Sequence, residues 1–221
     1  ANERMGGERV RVSLDDLYAI NNSSIKDAVV HFNGGCTSVL VSDQGLLLTN
    51  HHCGYSRIQS HSSLEKNYLK DGFWAMSLTE ELSNPGMDAS IIKEIRDVTD
   101  LVLADLSVDA SEAERKEHLK KVSGEIIEKA KEETGLDVYI KPFYHGNQYL
   151  LFISEIFTDI RLVGAPPSSI GKYGFDTDNW VWPRHTGDFS VFRIYANREN
   201  KPADFSEENR PYQPKHFLPV N

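Results

Sequence analysis

Gly34-Gly35-Cys36-Thr37-Ser38-Val39-Leu40-Val41-Ser42-Asp43-Gln44-Gly45-Leu46-Leu47-Leu48-Thr49-Asn50-His51-His52-Cys53 is the stretch on which the fold turns. Two apolar runs flank the turn-forming triplet Asp43-Gln44-Gly45, so it reads as a β-hairpin. A cysteine stands at each outer end, and His51-His52 directly precede the second. A Cys36–Cys53 bond would staple the hairpin and hold the His52 imidazole at the lip of a β-barrel. Two buried, unpaired thiols are the alternative. The bonded reading implies an oxidising compartment. For a loop of this length it adds about 3 kcal/mol in the chain-entropy account.

Upstream, a polar segment with one ordered piece around Val12–Tyr18 leads into a short strand, Ala28–Phe32. Downstream, Ser63–Leu69 reads as one or two helical turns stopped at Asp71-Gly72, and Ile91–Val98 as a strand with imperfect alternation. Ser111 and Glu114 form a capping box opening a helix that Gly135 ends. Leu119, Val122, Ile126 and Ala130 share its apolar face, and its lysines and glutamates read as a solvated face. Strands return at Val138–Tyr144, Gln148–Ile153, Phe157–Val163 and Asp188–Tyr195. The expected architecture is mainly β: a small barrel interrupted by a helical insertion. Its parts are 1–62 (first strands and the His52 hairpin), a largely helical 63–137, and 138–221 (the remaining strands and a linker).

Composition narrows the function. A formal charge of −9 over 221 residues argues against nucleic acid, whose phosphates require a basic face. No apolar run is long enough to span a membrane. The chain opens at Ala1-Asn2-Glu3 without a hydrophobic signal segment, which fits a cytosolic protein or a processed, exported one. With the cysteine pairing, the expectation is the periplasm or cell surface.

His52 is the first candidate for chemistry, as a general base, with His51 pointing the opposite way on the strand in a role that either supports the site from behind or is structural. Asp188, just before an alternating apolar strand, is the candidate to accept the imidazole Nδ1 proton and fix the tautomer. Asp176 and Asp178 compete from a turn-rich stretch. Asn179 and Trp180 can form a corner for a substrate amine, an amide acceptor beside an apolar wall; turn polarity and a packing aromatic are the plainer reading. A zinc site from His51, His52 and His61 is a rival, as is an inactive barrel that binds peptides or a partner protein.

The hairpin resembles the one carrying the catalytic histidine in chymotrypsin-like serine peptidases. More specifically, Gly34–Thr37, Leu48–Gly54, Asp71–Ala75 and Asp176–Ser190 resemble the bacterial dipeptidyl-peptidase 7 and dipeptidyl-peptidase 11 family, along nearly the whole chain. The resemblance implies the N-terminal barrel of a trypsin-like double barrel, with a helical domain inserted, working as a homodimer. It makes His52 and Asp188 the catalytic histidine and aspartate, and Asn179 and Trp180 the residues that hold the free amino terminus of peptide substrates. No metal or organic cofactor is expected. No glycine-flanked nucleophilic serine occurs, and Ser168 and Ser169 follow two prolines. The expectation is therefore an N-terminal part of a longer enzyme whose serine lies on a second barrel.

Overall fold

The computed structural model of the chain describes residues 13–21, 24–107, 109–174, 177, 181–183 and 185–219. A single helical turn, α1 (Leu14–Leu17), precedes the hairpin region, in which β1 (Val29–Phe32), β2 (Cys36–Leu40) and β3 (Leu46–Thr49) follow one another. Then come α2 (His51–Ser60), α3 (Tyr68–Asp71), β4 (Phe73–Trp74), β5 (Leu82–Ser83), β6 (Ala89–Asp97) and α4 (Thr99–Val102). The long helix α5 (Glu112–Thr134) leads to β7 (Asp137–Phe143), β8 (Gln148–Phe157), β9 (Ile160–Ala165) and α6 (Ser168–Gly171). The chain finishes with β10 (Ser190–Ala196) and β11 (Arg210–Pro211).

The strands form one antiparallel sheet whose main path is β4-β9-β10-β3-β2-β1-β6-β8-β7. Strand β8 runs into β9 through Thr158-Asp159 alone, so the two arms of this path are joined by the chain itself. The Asp159 carbonyl accepts from the Tyr195 amide of β10 at 2.9 Å, fixing that corner. The sheet thus closes on a shared core of Val30, Phe32, Leu40, Leu47, Phe157, Leu162, Phe192 and Ile194. Period-two alternation puts these side chains inside: in β1, Val30 and Phe32 are buried while Val29 and His31 face out. The fold is a mainly β, chymotrypsin-like barrel with helices added.

Outside the barrel, β6, β7 and β8 extend to carry α4 and α5 on a second, smaller core of Val98, Val102, Ala130, Val138, Leu151 and Ile153. Helix α5 begins in the anticipated capping box: the Glu114 amide donates to Ser111 Oγ at 3.3 Å and the Ser111 amide to Glu114 Oε2 at 2.9 Å. It ends on Gly135, in the left-handed region at φ 68°. A methyl group there meets nothing within 4 Å, so Gly135→Ala tests the backbone alone. We expect it to cost about 1 kcal/mol and to lower the melting temperature by about 2–4 °C. Calorimetry checks this, and an unchanged melting temperature would show that the helix end relaxes freely.

Several boundaries differ from the sequence reading, among them that of the strand expected over 148–153, which runs on to Phe157. Residues 63–137 hold α3, α4 and α5 but also give β4, β5 and β6 to the sheet. The helix expected over 63–69 starts later, because the Asn67 side chain caps it by accepting from the Lys70 amide at 3.1 Å. The strand expected over 157–163 breaks at Asp159, whose buried carboxylate accepts from Arg161 and Asn209 at the barrel corner.

Candidate active site

The chain leaves β3 at Thr49 and turns at Asn50 into α2, so His51 and His52 occupy the first turn of a helix. This corrects the strand placement of both. The segment HHCGYSRIQS is mostly polar and carries a glycine, and packing decides its form: His51, Cys53, Gly54 and Ile58 are buried under the helix. A Cβ on Gly54 would lie 2.9 Å from Ser190 Oγ and 3.0 Å from the Phe192 ring, so the helix rests directly on β10. Successive helical residues point about 100° apart, which still sends the two histidines to different surroundings.

His52 and Asp188 come together. His52 Nδ1 lies 2.9 Å from Asp188 Oδ2. The carboxylate also accepts from the His52 backbone N–H, on Oδ1 at 3.2 Å, and from Asn50 Nδ2, on Oδ2 at 3.2 Å. Asp188 therefore caps α2 from outside, at the end where the helix dipole favours an anion. The Asp188 side chain is 18% exposed and that of His52 is 62% exposed. Such an imidazole has one nitrogen held by a carboxylate and the other open. It can accept a proton at Nε2 while the carboxylate stabilises the imidazolium.

Four neighbours were not singled out by the sequence reading. Asn50, a residue type suited to capping its own helix, instead binds the carbonyl and carboxylate of Asp188, both at 3.2 Å. Ser190 Oγ donates to the Asn50 carbonyl at 2.8 Å, tying β10 to the helix start. Gly187 and Thr186 anchor the approach to Asp188 on α6: the Gly187 amide donates to the Ile170 carbonyl at 3.0 Å, and Thr186 Oγ1 to the Ile170 and Gly171 carbonyls at 3.1 and 3.2 Å. An asparagine just ahead of the paired histidines was the one available signal.

Cys36 and Cys53 are joined in a disulfide with a Cα–Cα distance of 6.1 Å. The bond ties the start of β2 to the first turn of α2, one residue past His52. Cys36, His52 and Cys53 cluster closely enough to suggest a metal, but both sulfurs are consumed in the disulfide. The histidine trio weighed as a zinc site also lacks a common focus: His61 Nε2 contacts Asn84 Oδ1 at 3.0 Å, His52 faces Asp188, and His51 is fully buried. Asn179, Trp180, Asp176 and Asp178 lie outside the described residues. Trp74, 53% exposed, lies over Gly164 with its ring 6.1 Å from that of Phe189, the residue after Asp188.

The Peptidase S46 family profile matches residues 1–221. The Asp/Glu-specific dipeptidyl-peptidase of Capnocytophaga gingivalis is 54% identical over 212 residues, covering 96% of this chain and 30% of that protein. Dipeptidyl-peptidase 7 of Porphyromonas gingivalis is 47% identical over 219 residues, covering 99% and 31%. The crystal structure of Porphyromonas endodontalis DPP11 with the dipeptide Arg-Glu superimposes with a TM-score of 0.85 at 54% identity, covering 96% of this chain and 31% of that one. The chain thus spans about 30% of the length of the curated relatives it matches.

Proposed function

The chain belongs to the Peptidase S46 family, and from that premise we propose that it is the N-terminal barrel of a serine dipeptidyl-peptidase releasing dipeptides from the free amino terminus of peptides. The observation that carries this reading is the 2.9 Å contact between His52 Nδ1 and Asp188 Oδ2 beside an open imidazole edge. The nucleophilic serine comes from a downstream barrel in the part of the enzyme beyond this chain. Its Oγ attacks the scissile carbonyl as His52 Nε2 takes the hydroxyl proton. The C–N bond then breaks and the proton passes to the leaving amine. Water repeats the sequence on the acyl-enzyme, with His52 again as base and then acid. Asp188 holds Nδ1–H throughout and keeps Nε2 free to accept.

The disulfide supports an exported enzyme of the periplasm or cell surface, and no helix among the described residues is long and apolar enough to cross a membrane. The working form is a homodimer. Relatives named Asp/Glu-specific are 52–54% identical, against 43–47% for those named dipeptidyl-peptidase 7, which supports an acidic residue before the scissile bond.

Asn179 and Trp180 hold the substrate's terminal ammonium, an acceptor beside an apolar wall. A hydrogen bond to a charged group contributes roughly 1.5–3 kcal/mol. In the full-length enzyme, Asn179→Ala should therefore lower kcat/KM by about ten- to a hundredfold. Acetylating the peptide terminus should abolish cleavage by the native enzyme and harm the variant proportionally less. The check is mass-spectrometric detection of released dipeptides from free and acetylated peptides bearing Glu, Asp or Leu at the second position. Cleavage of acetylated peptides at the native rate would end the dipeptidyl reading, and a preference for Leu would end the acidic one.

A further inference from the structure

His51 is buried completely, yet the chemistry above does not use it. Burial, the dominant influence, pushes its pKa below the ordinary histidine value against the opposing pull of Asp188, and Lys172 acts in the same direction as burial. Burial therefore favours the neutral ring. Neither ring nitrogen has a hydrogen-bond partner in good geometry, and the backbone of Pro166, just ahead of α6, is the polar group beside the ring. What the ring does make is a tight contact of shape. A Cβ built on Gly171 would fall 2.4 Å from His51 Cγ and Cδ2, so the imidazole lies flat against the backbone of α6.

That stretch of α6 carries Asp188. The Ile170 and Gly171 carbonyls receive the Gly187 amide and the Thr186 hydroxyl, and Asp188 is the next residue. Asp188 then returns to α2 through the His52 amide and ring. The contacts form a closed circuit: α2, Asp188, the 186–187 segment, α6, the His51 ring and α2 again. Adjacent histidines on one helical turn touch the two ends of the same path.

We propose that His51 is a positioning residue which, through Gly171 and the Thr186-Gly187 tether, sets the distance at which Asp188 meets His52. The proposal rests on the catalytic reading of that pair. A neutral, rigid ring suits the task. It fixes a spacing without adding a charge that would compete for the carboxylate, and a glycine at 171 lets it approach the α6 backbone directly.

The test uses the full-length enzyme and a dipeptidyl substrate. His51→Ala should lower kcat by about ten- to a hundredfold with KM changed less than about threefold, the scale expected for an Asp–His pair displaced by about 1 Å. Gly171→Ala should act alike, by pressing a methyl into the ring from the other side. In the double variant H51A/G171A the new methyl occupies part of the vacated space. The double should recover at least about threefold over His51→Ala alone, where independent effects would multiply. If His51→Ala does not fold, Thr186→Val cuts the same circuit at its surface end and should lower kcat by about three- to tenfold without raising KM. Three outcomes overturn the proposal: kcat within threefold of native in His51→Ala or unchanged in Thr186→Val; kcat kept while KM rises; or single effects that multiply. His52→Ala in the same series separates the two claims. Its inactivity beside a native-like His51→Ala removes only the positioning role, whereas an active His52→Ala removes the catalytic reading itself.

Discussion

Asp188→Asn in the full-length enzyme is expected to lower kcat by about 10⁴-fold while leaving the protein folded. The carboxylate accepts from three N–H groups: the His52 amide on Oδ1, and Asn50 Nδ2 and His52 Nδ1 on Oδ2. The His52 amide cannot turn away, since it belongs to the first turn of α2, so the single oxygen of an asparagine stays with it. The new NH2 group then faces His52 Nδ1 and donates to it. That moves the imidazole proton to Nε2, the atom that receives the serine proton in the proposed mechanism, so the proposed base is blocked although almost every atom is in place. Single-turnover kinetics with a dipeptidyl substrate, alongside circular dichroism, measure the effect. A loss smaller than about a hundredfold would mean that Asp188 is a helix cap and not the orienter of a catalytic base.

The second large effect concerns stability. Cys36 and Cys53 close a loop with a sequence separation of 17, for which chain entropy gives about 3 kcal/mol. Replacing both with serine should lower the melting temperature of this barrel by about 6–12 °C, taking about 2–4 °C per kcal/mol for a domain of this size. Reductant should reproduce the shift in the native protein and leave the variant unmoved. Because Cys53 directly follows His52, the variant should also lose activity at temperatures where the barrel is still folded. A calorimetric shift under about 2 °C would show that the packing of α2 on β10, through Gly54, Ser190 and Phe192, suffices to hold the histidine turn.

Much of this was legible in the chain because it was local. The hairpin, the capping box at Ser111 and Glu114 and the glycine stop at 135 each depend on residues a few positions apart, and periodicity reports them directly. The length of α3 and the break at Asp159 were misread because distant or non-repeating contacts decide them: an asparagine cap in one, a buried Arg161–Asn209 cradle in the other.

The candidate site divides along the same line. Sequence alone put an imidazole beside a disulfide cysteine at the end of a hairpin, and an aspartate ahead of an alternating strand. Those are statements about residue type and neighbourhood, which short-range patterns carry. Tertiary structure alone decided that the histidines begin a helix, that Asp188 caps it from 136 residues away, and that Asn50 serves the aspartate instead of its own helix. It also set His51 against Gly171. These facts arise where β3, β10, α2 and α6 converge, and the reason is physical. A short, mostly polar helix with a glycine in its first turns forms because a buried face and a partner carboxylate stabilise it, and neither exists until the barrel has closed.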